Sequence, residues 1–419
     1  MNTPRFRWIT RELPDLDLGK LVLITGARQV GKTTVSRTTY PSLPYHNLDA
    51  AELRDRLRQV PTTLWASTVG ECILDEVQKS PEVFEKIKYA YDEKRIRRTV
   101  LLGSSQILMS RLISESLAGR VFIFELFPLM LSEFCLEATS PPQAPILLDQ
   151  ILSCSHLADV LSPYPPVSLS SDWDQKQAWL AHSLQWGCMP ELLALSDSHK
   201  TQWHRSYEKT FLERDLGDLA RLSDLEPFKK IQKLAALRSG HILNLSDFST
   251  DAGVSFDTTK RYLEYLKRSY QAFELAPYHV NVTSSVRKTP KLHFVDVGIA
   301  RQLSGYFGPA TGELFESYVV SEIYKWVKTR QRPVTLTYYR TRSGLEIDLL
   351  IETQQGIFGI EIKSTPKVLA KHGSALRAFA QSSRVPWLGG LVVYPGDQLV
   401  HLDPTHDLWA MPASLLLTC

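Results

Sequence analysis

Long apolar runs are missing from this chain. No stretch of roughly 18 uncharged apolar residues occurs in it, so no membrane-spanning helix is expected. Cysteine is scarce: the five, Cys72, Cys135, Cys154, Cys188 and Cys419, are widely scattered and form no CxxC pair. Neither a zinc site nor a disulfide frame is indicated, and the expected compartment is a reducing cytosol, which makes the protein cytoplasmic. The opening residues MNTPRFRWITRELPDL hold no apolar core of signal-peptide type. A strong charge of one sign is lacking as well. Lys and Arg number 48 against 45 Asp and Glu, a net charge of +3, so any affinity for nucleic acid must come from a local basic patch. What remains is a chain 43% hydrophobic and 22% charged, ordinary for a soluble globular protein. Its 419 residues predict two or three domains.

The first chemistry lies in KLVLITGARQVGKTTVSR. The pattern GxxxxGK[ST] is complete in Gly26, Gly31, Lys32 and Thr33. An apolar strand, Leu21 to Ile24, runs into it, and a helix-like segment leaves from Lys32. That strand–loop–helix context is what a phosphate-binding loop needs. Glycines let backbone N–H groups converge on phosphate oxygens, and the helix N-terminus adds the positive end of its dipole. The expected nucleotide-binding segment is Gly26, Ala27, Arg28, Gln29, Val30, Gly31, Lys32, Thr33 and Thr34. Lys32 supplies charge to the β and γ phosphates, and Thr33 offers a hydroxyl to Mg²⁺.

Next, ECILDEVQ ends a short apolar strand in Asp75 and Glu76. After a phosphate-binding loop, such a pair reads as a Mg²⁺ ligand, Asp75, beside a general base, Glu76, that polarises water. A third strand in RRTVLLGSSQ ends in polar residues, of which Ser105 or Gln106 would touch the γ-phosphate or the water; a plain polar turn is the alternative. In SLAGRVFIFELFPL, Arg120 would reach a phosphate as an arginine finger does, or pair with a carboxylate at the surface. Strands at about 21–25, 44–48, 71–75, 99–103 and 121–126 alternate with helical stretches. They predict a doubly wound parallel sheet with its ligand at the C-terminal strand ends.

TGARQVGKTT, ILDEVQ, LLGSSQ and SLAGRVFIFELFPLMLSEF together resemble a widespread prokaryotic family of AAA-type ATPases that carry a C-terminal domain of unknown function. The resemblance spans nearly the whole chain. It implies ATP and Mg²⁺ as cofactors, and a homo-oligomeric ring in which a neighbour's arginine serves the nucleotide.

SPYPPVSLSSDWD, rich in Pro and Ser, reads as a linker. YEKTFLERDLGDL reads as an amphipathic helix with Phe211, Leu212, Leu216 and Leu219 near one side. A short helix around Leu245–Asp251, a turn at Gly253 and a helix through TTKRYLEYLKRS, with Asp257 as its expected N-cap, form a helix-turn-helix pattern. Tyr262, Leu263 and Leu266 make its apolar stripe. Two strands with a basic tip follow, so the unit looks winged. Lys260, Arg261, Lys267 and Arg268 on the second helix, and Arg287, Lys288 and Lys291 on the wing, suit phosphate contacts with DNA; a protein-contact or spacer role is the alternative.

GIFGIEIKS places Glu361 and Lys363 two apart, hence on one face of a strand. An ion pair at a sheet edge would explain them. So would a metal-dependent cutting site. The order around them is a helix, GELFESYVVSEIYKWV, then strands VTLTYYRT, LEIDLLIE and IFGIEIKS, then a helix and the strand LGGLVVYP. This order resembles the restriction-endonuclease-like fold with its D–ExK signature: Asp348 on the second strand, Glu361 and Lys363 on the third, and Glu316 as the helix carboxylate. The resemblance implies Asp348, Glu361 and Glu316 as Mg²⁺ ligands and Lys363 as a group that steadies the transition state. Glu346 shares the face of Asp348 and could take part.

The expected fold is α/β throughout: an N-terminal P-loop (AAA-type) parallel sheet over residues 1–140, a helical winged-helix region over 150–305, and a restriction-endonuclease-like α/β domain over 310–419. The expected function is an ATP-hydrolysing ATPase that acts on DNA and carries a Mg²⁺-dependent nuclease-like domain. The alternative is a nucleotide-dependent regulatory switch whose last domain only binds DNA or a protein partner.

Overall fold

Leu21–Thr25 forms β1, and all five of its residues are buried. Alternation splits them between two cores: Leu21 and Leu23 pack on one face, Val22 and Ile24 on the other. A strand apolar on both faces belongs in the middle of a covered parallel sheet, and β1 lies there. In this computed structural model, which describes residues 4–104, 116–137, 142, 144–167, 172–220, 225–278 and 289–418 (backbone only for residue 16 and for 211–220), β1 is joined by β2 (Tyr45–Asn47), β3 (Ile73–Asp75), β4 (Val100–Gly103) and β5 (Val121–Glu125). The five strands stand in the order β2-β3-β4-β1-β5, and every pairing is parallel. Thr25 therefore lies beside Gly103 on one side and Glu125 on the other. The strand ends that carry Gly26, Asp75 and Ser104 meet at one edge, as a ligand site in a parallel sheet requires.

The middle of the chain is helical. Glu226–Leu237, Leu245–Ala252 and Phe256–Arg268 are helices. Asn244 caps the second, its side chain accepting from the Ser246 and Asp247 N–H groups. Ser255, not Asp257, caps the third: the Ser255 hydroxyl accepts from the Thr258 N–H, and Asp257 falls in the first turn. Tyr262, Leu263 and Leu266 are buried, as their stripe predicts. The segment of Phe211, Leu212, Leu216 and Leu219 is helical within Asp197–Ala220, but these side chains lie outside the described residues. Tyr270, just past the third helix, adopts a left-handed backbone with φ 62°, which costs a non-glycine residue about 1–2 kcal/mol.

β6 (Ala272–Pro277) and β7 (Lys291–Phe294) pair antiparallel. They then join the C-terminal strands instead of standing apart. β6 runs parallel to β8 (Thr335–Arg340) through Ala276 and Thr337, completing an eight-stranded mixed sheet, β12-β13-β11-β10-β9-β8-β6-β7. Its other members are β9 (Glu346–Glu352), β10 (Ile357–Ile362), β11 (Trp387–Tyr394), β12 (Val400–Asp403) and β13 (Leu408–Pro412). The helix Gly312–Thr329 packs against this sheet and also against β5 of the first. One buried apolar cluster runs from Phe6 through Ile24, Phe228, Phe315 and Ile360 to Leu417. The N-terminal parallel sheet, the helical middle and the C-terminal mixed sheet thus share a core.

Candidate nucleotide site and C-terminal acid–lysine cluster

The loop after β1 is shaped by close backbone approach. At Gly26 (φ 153°) a Cβ would fall 2.1 Å from the Leu126 carbonyl oxygen, so no side chain fits. Gly31 (φ 97°) then opens the helix Lys32–Thr39. Buried Arg7 braces the loop: its guanidinium donates to the Val30 carbonyl at 2.7 Å, to the Phe127 carbonyl at 2.6 Å and to the Glu133 carboxylate at 2.9 Å. The Lys32 ammonium donates to the Gly26 and Ala27 carbonyls, each at 2.8 Å.

Across the loop, the Thr33 hydroxyl donates to Asp75 Oδ2 at 2.6 Å, and the Tyr45 hydroxyl donates to the same oxygen at 2.8 Å. Burial and then Asp75 hold the Tyr45 phenol above its ordinary range. The other Asp75 oxygen accepts from the Glu76 N–H at 2.9 Å. Glu76 takes a left-handed backbone, φ 54°, and its carboxylate accepts from the Gln78 amide, which also reaches Ser104 at 3.4 Å. Arg28, Gln29, Gly31, Lys32, Thr33, Thr34, Asp75 and Glu76 line one cavity of about 530 Å³. A second, of about 540 Å³, abuts it, sharing Gly31, Thr34, Pro190 and Glu191, and is walled by Phe6, Val30, Val35, Leu129 and Leu193.

Arg120 does not reach this site within its own chain. β5 runs parallel to β1 with Val121 beside Leu21, so Arg120 sits where β1 begins, roughly 20 Å along the strands from the loop. There it grips Asp92 through two bonds, 2.7 and 2.9 Å. Ser105 and Gln106 lie outside the described residues. Arg7, Tyr45 and Gln78 were not singled out in the sequence. Gln78 stands within the quoted ILDEVQ, but only the fold brings its amide to Glu76.

The second cluster forms where β9 and β10 stop pairing. Their register ends at Leu349 beside Ile360, and the Asp348 carboxylate then accepts the Ile362 N–H at 2.7 Å. The Asp348 carboxylate also acts on Glu361 by charge repulsion. Lys363 donates to Glu361 at 2.8 Å, so the ion pair that the strand spacing allows is present. Burial and then Asp348 push the Glu361 carboxyl up to about 8, against the pull of Lys363. Glu316 is pushed up to about 7 by burial and Asp348, against Lys291.

Lys291, expected on a DNA-facing wing, is buried in this cluster instead. Its ammonium lies 2.9 Å from Glu316 and 2.7 Å from Glu346. Burial opposes its charge, but Glu316 and Glu346 hold its pKa above the ordinary lysine range. Glu316 is thereby turned to a lysine, and among the described residues no group of three or more His, Cys, Asp or Glu side chains is arranged to hold a metal ion. Asp348 and Glu361 remain as a pair, the number of carboxylates Mg²⁺ takes when water and substrate phosphate supply its other ligands. Of the helix-borne cations, Lys267 pairs with Glu264 and Glu274, each at 2.9 Å, and Arg268 with Glu264 at 2.6 Å. Lys260 and Arg261 are exposed. Arg287 and Lys288 lie outside the described residues.

A five-stranded parallel sheet with a phosphate-binding loop after β1 and an acidic pair at the end of β3 defines an AAA-type P-loop domain. Residues 19–135 match the family profile of an AAA domain, residues 177–310 a domain of unknown function, DUF8612, and residues 311–416 another, DUF4143. The chain thus joins an AAA domain to a C-terminal DUF4143 domain. Uncharacterized proteins of Mycobacterium tuberculosis and Mycobacterium bovis are each 29% identical to it over 409 residues, covering 95% of this chain and 81% of theirs. Among solved structures, a signal transduction ATPase with numerous domains from Pyrococcus horikoshii aligns with a TM-score of 0.23 and 10% identity over 75% of this chain and 44% of its own. A Vibrio cholerae protein aligns with a TM-score of 0.20 and 11% identity over 94% of this chain and 95% of its own. At those TM-scores neither bears on fold or function. No helix among the described residues is long and apolar enough to cross a membrane.

Proposed function

We propose that the protein binds and hydrolyses ATP at the P-loop and couples turnover to an action on DNA. The observation that carries the ATPase half is the meeting of Thr33 and Asp75 at 2.6 Å beside Lys32 and Glu76. The phosphates lie against Gly26–Thr34, and the apolar 540 Å³ cavity next to them receives the base. Lys32 exchanges the Gly26 and Ala27 carbonyls for phosphate oxygens. Thr33 and Asp75 are hard oxygen donors on one side of the loop, so they fit Mg²⁺; when bound, the ion neutralises charge on the phosphates. Glu76, steadied by Gln78, orients the attacking water and accepts its proton. Lys32→Ala should abolish hydrolysis; full turnover in that variant would sink the assignment.

The DNA half rests on Asp348, Glu361 and Lys363 converging at the end of β10. The helix Gly312–Thr329, antiparallel β8, β9 and β10, the helix Ser374–Ser382 and β11, parallel to β10, support a restriction-endonuclease-like unit. Asp348 and Glu361 would hold Mg²⁺, which polarises a phosphodiester when bound, and Lys363 would offset the charge that builds on it. The helix pair, β6–β7 and the bridge from Ile242 to Lys291 support a winged helix, with Lys260 and Arg261 toward DNA phosphates. A ring of copies, in which Arg120 leaves Asp92 for a neighbour's nucleotide, completes this reading.

A second reading is favoured by Lys291. Buried Lys291 and half-buried Lys363 already offset much of the acidic charge in the cluster, as a binding module under nucleotide control would allow. Cleavage of circular and linear DNA with Mg²⁺ or Mn²⁺, with and without ATP, separates the two. Cutting that disappears in the Glu361→Ala, Lys363→Ala double variant supports the nuclease. No cutting under any condition, with ATPase intact, supports the switch.

A further inference from the structure

The helix Phe256–Arg268 ends in a Schellman motif. The Gln271 N–H donates to the Leu266 carbonyl and the Tyr270 N–H to the Lys267 carbonyl, each at 3.0 Å. The left-handed position in that motif favours glycine, which has no Cβ to clash, yet Tyr270 fills it at φ 62°. Strain of this kind persists only where other contacts over-determine it. Here those contacts come from the AAA domain.

The Tyr270 hydroxyl lies 2.6 Å from Thr25 Oγ1, and Tyr270 and Glu125 line one cavity. Thr25 and Glu125 are register partners at the ends of β1 and β5. Thr25 leads directly into Gly26. The residues after Glu125 form the rear wall of the P-loop: the Leu126 N–H donates to the Thr25 carbonyl at 2.7 Å, the Leu126 carbonyl is the group that bars a Cβ at Gly26, and the Phe127 carbonyl is bonded to the same Arg7 that holds Val30. The Phe127 ring meets that of Tyr270 edge-on at 6.2 Å. A single side chain from the middle segment is therefore bonded to the strand that carries the loop and packs against its wall.

We propose that Tyr270 is a positioning residue for nucleotide binding, fixing Thr25 and Phe127, and through them the P-loop and its wall, from the strained end of the Phe256–Arg268 helix. The inference rests on the P-loop being the ATP site. Its consequence is two-way. A shift of the middle segment that withdraws Tyr270 weakens ATP binding, and by linkage ATP binding favours the seated position of that segment by the same factor. The residues that flank Tyr270 reach the other half of the protein. Phe273 stacks on Tyr324 of the helix Gly312–Thr329 at 3.9 Å, the helix that also bears Glu316.

The test is a double-mutant cycle on the full chain: Tyr270→Phe, Thr25→Val and both together. The readouts are isothermal titration with ATPγS and Mg²⁺, steady-state ATPase and thermal melting. Each single variant is expected to weaken ATPγS about tenfold, the scale of one buried hydrogen bond, and to raise KM for ATP far more than it lowers kcat. The double variant should be little worse than either single one. Tyr270→Gly relaxes the backbone while removing the hydroxyl, so it too should bind ATPγS poorly. Wild-type affinity in Tyr270→Phe or Tyr270→Gly, or losses that multiply in the double variant, would overturn the inference alone. So would earlier melting with unchanged ATPγS affinity, the mark of a scaffold residue. Failure of the unaltered chain to bind ATPγS would overturn the ATP assignment and the inference with it.

Discussion

Thr33 and Asp75, 42 residues apart in the chain, share a 2.6 Å hydrogen bond, and Tyr45 donates to the same Asp75 oxygen. Thr33 belongs to the P-loop itself, whereas Tyr45 and Asp75 are its neighbours in space, not in sequence. The contact places the Asp75 carboxylate where a cation held by Thr33 would find it. Asp75→Asn keeps the shape and both hydroxyl partners but removes the carboxylate's negative charge. Titration of ATPγS with and without Mg²⁺ should show that Mg²⁺ tightens binding to the wild type and no longer does so for Asp75→Asn. An unchanged Mg²⁺ effect would remove Asp75 from the metal.

Glu76 is held by Gln78 and by its own left-handed backbone, so its carboxylate is aimed before any substrate arrives. Glu76→Gln retains size and polarity and loses only basicity. Nucleotide affinity should stay within a few-fold of wild type, while kcat falls about 10²- to 10⁴-fold, the usual weight of a general base. Single-turnover hydrolysis measures this directly. A variant that still turns over at the wild-type rate would assign water activation to another group.

Lys291 separates two accounts of the middle segment. A wing lysine reaching for DNA would be exposed, and its loss would lower DNA affinity and flatten the salt dependence. The buried lysine between Glu316 and Glu346 should behave otherwise. Lys291→Met leaves two carboxylates facing each other without their cation, a change that costs about 3–5 kcal/mol when one partner of a buried pair is removed. Urea denaturation should show that loss, and adding Glu316→Gln should recover part of it. Unchanged stability with weakened DNA binding would return Lys291 to the wing.

The legible parts of the molecule were those fixed by local chemistry. LVLIT, the Gly26–Gly31 spacing and the strand-ending Asp75–Glu76 depend on backbone shape and alternation within a few residues, and the five strands of the first sheet fall where those patterns put them. The helix–strand order around Asp348 and Glu361 was legible for the same reason. What could not be read were contacts between distant segments. Nothing local says that β6 will run on into the C-terminal sheet, that Lys291 will turn inward, or that a tyrosine at a helix end will reach Thr25. Ser255 displaced Asp257 as the cap because both are good cap residues, and only the backbone geometry chooses between neighbours. Arg120 is open in the sequence to a phosphate or a surface carboxylate, and within a single chain it pairs with Asp92.

The acid–lysine cluster should also govern how stability responds to pH. Glu361 is pushed up to about 8 and Glu316 to about 7, whereas a carboxyl in the unfolded chain titrates near ~4.3. A group with a raised folded pKa takes up a proton on folding, so the native state binds more protons than the unfolded one between those values. Stability therefore falls as pH rises through that window. In EDTA, the melting temperature should decline from about pH 5 to pH 8, and Glu361→Gln, which cannot ionise, should flatten the decline. Mg²⁺ added at the alkaline end favours the ionised pair, so it should raise the melting temperature of the wild type and leave Glu361→Gln unmoved. A melting temperature that climbs across this range, with no difference between the two proteins, would show that Glu361 and Asp348 do not share a site where charge is costly.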